Sequence, residues 1–263
     1  QKVEVAGRLW PDRSNELVVM FSPAARAPAI AQVQFTGSMA ISAEALQTAI
    51  APVAIGAAFT EEGFRAMLDA TVRRLYEAKG MLRVDFPRVT SAPAEGIDGV
   101  AVLVEVAEGE VYTLNRVNIQ GSSAPEAELL KAAALKTGEP ANFEEVQAGL
   151  ERVRARLGAA GFLKPELRVE RILRDADRQV DVVIHVEAGP RFVMGKLMVA
   201  GLNLDGEAQI RRLWAMKPGE PFNNTYPGFF LSRVREDGVF DNLGAAKASL
   251  AVNEAALSVD VTL

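Results

Sequence analysis

The chain reads as an α+β protein made of tandem β-α-α-β-β modules, each a three-stranded mixed sheet with two helices on one face, arranged as a bent rod. Three observations predict this. Ala31-Gln-Val-Gln-Phe-Thr-Gly37 returns as Asn115-Arg-Val-Asn-Ile-Gln-Gly121 and as Gly195-Lys-Leu-Met-Val-Ala-Gly201, so the closing glycines fall 84 and 80 residues apart. Gly80, Gly161 and Gly238 each end a helical pattern and are followed by an extended stretch, at steps of 81 and 77. Between the two sets of markers the same order of helical and alternating segments recurs. Self-similarity at a fixed period is the mark of an array of small units, not of one large core.

The second module shows the plan most clearly. Tyr112 to Gln120 alternates as a half-buried strand, with Gly121 forming the turn that closes it. Ser123-Ala-Pro-Glu126 has the form of a capping box with proline inside the first turn, opening a helix that runs to about Lys136-Thr-Gly138. Asn142, with Glu145 three residues on, starts a second helix whose Val146, Leu150, Val153 and Leu157 line one face. Gly161 supplies a left-handed stop. Leu167 to Leu173 and Val180 to Val186 then alternate across the turn Asp175–Arg178, as a hairpin does.

The first module repeats this, with Ser42 and Thr60 as helix caps. Phe64, Leu68, Val72 and Leu75 form its second apolar face, Gly80 the stop, and Leu82–Val89 with Val100–Val106 the hairpin. In the third, Tyr226-Pro-Gly228 disturbs the start of the second helix, and the hairpin spans about Ala246 to Leu263. Residues 2–21 look like the closing hairpin of a further module whose other elements are missing, and such a hairpin needs something to pair with. The expected division is 1–27 as this partial unit, then modules at 28–108, 109–188 and 189–263. Links as short as Glu108-Gly-Glu110 and Gly189-Pro-Arg191 restrict swing between modules.

Composition narrows the function. With 29 basic and 34 acidic residues well mixed, the chain has no footprint for a polyanion, so nucleic acid is not an expected partner. Without cysteine there are no disulfides or thiolate metal sites, and a lone His185 builds no histidine site. There is no G-x-S-x-G, no phosphate-cradling glycine loop and no recurring carboxylate pair. No enzyme, metal or cofactor is expected. Asp175, Asp177 and Asp181 lack the glycine and the acidic twelfth position of a calcium loop; Arg152, Arg154 and Arg156 read as a solvated face; Trp214 and Phe229-Phe230 read as core.

A unit of this order, opening aromatic-x-apolar-x-x-apolar-x-apolar-x-Gly with a second glycine after its second helix, resembles the polypeptide-transport-associated (POTRA) domain. The matching residues are Tyr112, Leu114, Val117, Ile119, Gly121 and Gly161 in the second module. Phe192, Met194, Leu197, Val199, Gly201 and Gly238 match in the third, and Pro28, Ile30, Val33, Phe35, Gly37 and Gly80 in the first. Tandem POTRA domains are similar to the periplasmic part of BamA- and TamA-type outer membrane assembly factors of the bacterial surface antigen family. The resemblance implies a periplasmic scaffold, tethered to the outer membrane, whose partners are nascent outer membrane proteins and accessory subunits. Contact with the membrane would come only through a β-barrel that these residues do not contain. A second reading is a standalone scaffold or a docking module for division or secretion.

A mechanism follows from the sheet. The valine-rich strands should be central, which leaves the strand before each at an edge where an extended polypeptide can add. Pro87 and the charges around it make the first edge the poorest acceptor. The expected client contacts are therefore Arg168 and Glu170 in the second module and Lys247 and Ser249 in the third. Gly37, Gly80, Gly121, Gly161, Gly201 and Gly238 are expected to be structural.

Overall fold

The computed structural model describes residues 3–10, 13–23, 27–122, 124–238 and 246–263, with side chains from residue 27 onward. Contacts divide the chain into two compact units, residues 1–76 with 81–109, and residues 77–80 with 110–263.

In the first unit, β1 (Val3–Trp10) and β2 (Arg13–Pro23) form an antiparallel two-stranded sheet. Among the described residues no third strand joins it, so the expected partner is not found there. The turn residues Pro11 and Asp12 lie outside the described residues.

The first module follows. β3 (Ile30–Thr36) runs parallel to β5 (Val100–Ala107), and β4 (Asp85–Pro93) runs antiparallel to it, in the order β3-β5-β4. Strand β4 starts three residues later than the alternation suggests and extends to Pro93. The register shift between Asp85 and Arg88 places Pro87 in a bulge, where its missing N–H breaks no regular ladder bond.

Helix α1 (Ala43–Ala54) begins where Ser42 Oγ accepts the Ala45 N–H at 3.2 Å. Thr60 caps α2 (Glu61–Met67) in the same way, accepting the Gly63 N–H at 3.1 Å. A π-helical segment, Leu68–Val72, joins α2 to α3 (Arg73–Glu77). The wider turn keeps a step of four on one face, so the buried series is Phe64, Leu68, Val72 and Tyr76, and Leu75 is only partly buried. The expected core position thus moves from Leu75 to Tyr76.

The second unit holds two modules. In the first of these, β6 (Thr113–Gln120), β8 (Gln179–Glu187) and β7 (Glu166–Arg174) lie in the order β6-β8-β7, with β8 parallel to β6 and antiparallel to β7. Helix α4 (Glu126–Ala133) opens from Pro125 without a side-chain cap, so it starts later than a capping box at Ser123 would have it; Ser123 itself lies outside the described residues. It ends at Ala134, at φ 51°, four residues before Gly138. Arg152 donates to the Ala133 carbonyl at 2.6 Å and so caps α4, in place of the solvated role expected of it. Helix α5 (Phe143–Ala159) starts where Asn142 Oδ1 accepts the N–H groups of Glu144 and Glu145.

In the last module β9 (Val193–Met198), β11 (Ser258–Thr262) and β10 (Ser249–Asn253) are ordered β10-β11-β9, again with the parallel pair beside the hairpin. Helix α6 (Leu204–Leu213) is capped by Asn203, and α7 (Tyr226–Glu236) carries Pro227 in its first turn, where no N–H is missed. Trp214 and Phe230 pack edge-to-face at 5.0 Å in its core, but Phe229 is 60% exposed and leaves the core expected of the pair.

All three central strands are the valine-rich ones, and each sheet buries one face beneath its helices. At the joint between the last two modules, Phe162 bridges to Arg191, and the Phe192 N–H donates to the Gly161 carbonyl at 2.8 Å. A Cβ on Gly161 (φ 99°) would lie 2.7 Å from the Phe192 carbonyl oxygen, so this close approach requires glycine.

Candidate functional site

The site is built from a strand that its own module leaves uncovered. β10 lies at the edge of its sheet and all five of its residues are exposed. Its register pairs Leu250 with Val261 and Val252 with Val259, both fully buried core residues, so Leu250 and Val252 face the helix side of the sheet. Each is nevertheless 44% exposed. Beside Leu250 a cleft of about 480 Å³ runs between β10 and α7, with Pro227, Leu231, Arg235 and Lys247 among its other walls.

The cleft carries two cations. Among the described residues neither Arg235 nor Lys247 meets a carboxylate, and no acidic side chain lines the cleft. Lys247 lies two residues before β10 and Ser249 is its first residue, so these two expected contacts stand at one end of the open edge. The sequence reading missed Leu231, Arg235, Leu250 and Val252. Alternation at Leu250 and Val252 was visible, but their exposure depends on how far α7 reaches over the sheet.

Arg168 and Glu170 stand on the corresponding edge strand, β7, in a different setting. The central strand presents Asp181, Val183 and His185 to the face opposite the helices. Glu170 reaches across to His185 Nε2 at 2.9 Å, Arg168 to Glu166 at 3.4 Å, and Arg174 to Asp181 at 2.6 Å. Arg171, on the other face, lies 3.8 Å over the Phe143 ring and pairs with Glu77 at 2.6 Å. Asp181, although on the face opposite the helices, is only 7% exposed: Arg174 and the Asn115 amide cover it. The charges of β7 therefore meet one another within the unit.

In the first module the start of the edge is held by side chains. Arg65 donates to the Phe86 carbonyl at 2.9 Å and Arg73 to that of Val84, so guanidinium groups from α2 and α3 hold carbonyls at the start of β4. Nearby, the Glu108 carboxylate accepts the N–H groups of Met39 at 2.7 Å and Ala40 at 2.9 Å, and the Tyr76 hydroxyl at 3.1 Å. Burial would raise the Glu108 carboxyl, but the N–H donors of Ala40, Met39 and Ile41 and the Tyr76 hydroxyl outweigh it and hold it below its ordinary range. Burial first, then the bond to Glu108 and its charge, push the Tyr76 hydroxyl well above its usual value.

Among the described residues no cluster of three or more histidine, aspartate or glutamate side chains is gathered as a metal would require, and no helix is long and apolar enough to cross a membrane. The six repeat glycines all have positive φ. Gly37 and Gly121 share one further constraint: a Cβ would lie 2.5 Å from the Val106 carbonyl oxygen in one module and 2.7 Å from that of Val186 in the other.

These modules have known counterparts. The POTRA family model, described as surface antigen variable number repeat, matches residues 112–189. The outer membrane protein assembly factor BamA of Neisseria meningitidis serogroup B is 26% identical over 144 residues, which cover 54% of this chain and 18% of that protein. The chain thus spans about a fifth of the length of this relative. In structure, POTRA domains 3–5 of Haemophilus influenzae BamA superpose with a TM-score of 0.55 at 20% identity, covering 92% of this chain and 97% of that one, a likeness of fold. Residues 112–189 match the POTRA model, the modules on either side share the same β-α-α-β-β plan, and the array has the fold of the POTRA domains of BamA.

Proposed function

We propose that this array is a non-catalytic scaffold of the periplasm, held at the outer membrane, that binds extended segments of nascent outer membrane proteins during their assembly. The likeness to an assembly factor supports the setting. One observation carries the mechanism: among the described residues β10 is an edge strand with an open backbone side, its Leu250 and Val252 are half-exposed, and Leu250 borders a cleft toward α7. A strand added there gains backbone hydrogen bonds irrespective of sequence, and alternate apolar side chains of the client cover the cleft. That combination suits clients that share β-strand character and no motif. Accessory subunits have the helix surfaces and the remaining edges to dock on.

The second module's edge, at Arg168 and Glu170, is the weaker acceptor, because a client must compete with side chains already paired across the sheet. Lys247 and Ser249 stand where the client strand enters or leaves β10. Titrating the ¹⁵N-labelled chain with a blocked, alternating β-strand peptide tests this. The amides of residues 247–253 should shift first. Of two neighbouring strand residues one N–H points to β11 and the other to the open edge, so proline at Leu250 and at Ala251 should differ: the substitution that leaves the hairpin intact should abolish binding. Shifts confined to α6 and α7, or full binding by the folded proline variant, would refute strand addition.

A further inference from the structure

The first two modules differ at one place where their backbones agree. Gly37 and Gly121 crowd the carbonyls of Val106 and Val186, so Glu108 and Ala188, two residues further on, are counterparts. Ala40 and Ala124 each stand three residues past the closing glycine, and Tyr76 and Leu157 each stand four before the helix-ending Gly80 and Gly161. In the first module these positions form a closed clamp, in which the Glu108 carboxylate takes the N–H groups of Met39 and Ala40 and the Tyr76 hydroxyl. In the second module the carboxylate and the hydroxyl are both gone, replaced by Ala188 and Leu157.

A cleft of about 520 Å³ opens at that place, with Ala124 and Leu157 in its wall. Leu129 and Phe162 add to its apolar lining, and Arg156 and Arg191 bring positive charge. The one acid lining it, Glu128, is paired with Arg156. Arg191 donates Nε to the Ala160 carbonyl at 2.8 Å and lies 5.9 Å from the Phe162 ring centre, and among the described residues it meets no carboxylate. The cleft therefore offers an apolar lining beneath one uncompensated cation, where the sister module holds a glutamate of its own.

We propose that this cleft docks a partner protein through an acidic side chain flanked by an apolar residue, which brings in trans a charge that the second module lacks where the first has Glu108; the Ala124 N–H, counterpart of that of Ala40, is already accepted by Ser122 Oγ at 3.0 Å. The apolar neighbour rests on Ala124, Pro125 and Ala160 at the mouth of the cleft, above the buried Leu129, Leu157 and Phe162, and the carboxylate meets Arg191. Because Arg191 belongs to the link into the third module and bridges to Phe162, occupation bears on the joint between the two modules.

The test uses the full ¹⁵N-labelled chain and three peptides: one blocked at both ends with a central Leu-Glu, its Leu-Gln twin, and one whose only carboxylate is a free C-terminus. The Leu-Glu peptide should shift the amides of Ala124, Leu129, Leu157 and Arg191, and the Leu-Gln twin should bind at least about tenfold more weakly. Ala188→Glu, which supplies a resident carboxylate, and Arg191→Gln should each remove the difference between the twins. Equal affinity for the twins, no shift at millimolar peptide, shifts confined to residues 247–253, tighter binding of the free C-terminus, or undiminished binding by a folded Ala188→Glu would each overturn the proposal. Should Ala188→Glu not fold, the twins on the unaltered chain still decide.

Discussion

β4 and β10 hold the same place in the same fold, each an edge strand antiparallel to the central strand of its sheet. Around β4, Pro87 sits in a bulge, two arginines hold the Phe86 and Val84 carbonyls, and the Glu108 clamp ties the loop after β3 to the end of β5. Around β10 nothing equivalent stands among the described residues: there are five exposed residues, a cleft toward α7, and two cations that meet no carboxylate. The difference teaches that an edge in this fold is opened or closed by a few side chains outside the strand itself. Topology provides an edge in every module; arginines, a proline and helix reach decide whether it can accept a strand.

The largest effect should come from the residue on which the closed module turns. Tyr76→Ala removes a fully buried aromatic and the hydroxyl that holds Glu108, and should cost the first module about 3–5 kcal/mol, read from urea unfolding. Tyr76→Phe keeps the ring and should cost about 1 kcal/mol. A loss from Tyr76→Ala no greater than that from Tyr76→Phe would detach the clamp from the core.

Next comes acid. The Glu108 carboxyl lies below the ordinary value of 4.5, so its contribution is fully present above that value and is lost as the pH falls through the lower folded value. Unfolding of the first module should become easier as the pH falls below 4.5, and Glu108→Gln should flatten that dependence by removing the carboxylate. An unchanged acid limb in Glu108→Gln would show that other carboxylates carry it.

The smallest effect is a gain. Replacing Pro87 with valine and Arg65 with alanine restores an N–H and frees the Phe86 carbonyl, at a cost of about 1 kcal/mol in stability. Strand peptides should then shift amides of residues 85–93, which they leave unmoved in the unaltered chain. If the opened β4 still takes no peptide, the cleft beside β10 matters more than its free backbone.

Much of this was legible in the sequence because it is local. Alternation assigned the central strands, Ser42, Thr60 and Asn142 cap helices through their own side chains, and Pro87 coincides with a break in the β4 register. The misreadings fall where packing or an irregular turn overrides the regular period. A π-helical segment moves the buried position from Leu75 to Tyr76, Ala134 ends α4 ahead of Gly138, and Arg174 and Asn115 bury Asp181 on a face that periodicity gives to solvent. Phe229 follows the same rule, since its exposure depends on how α7 is turned against Trp214 and Tyr226.

The sequence alone determined the repeat, the order of elements in each module and the glycine positions, because periodicity, capping and positive φ act over a few residues. Only the tertiary structure decided which edge is open, which charges are already spent on one another, and that the place filled by Glu108 in one module is a cleft in the next. Those properties depend on side chains brought together from different elements, as Glu108 and Met39 are from 69 residues apart, and no local pattern records the meeting.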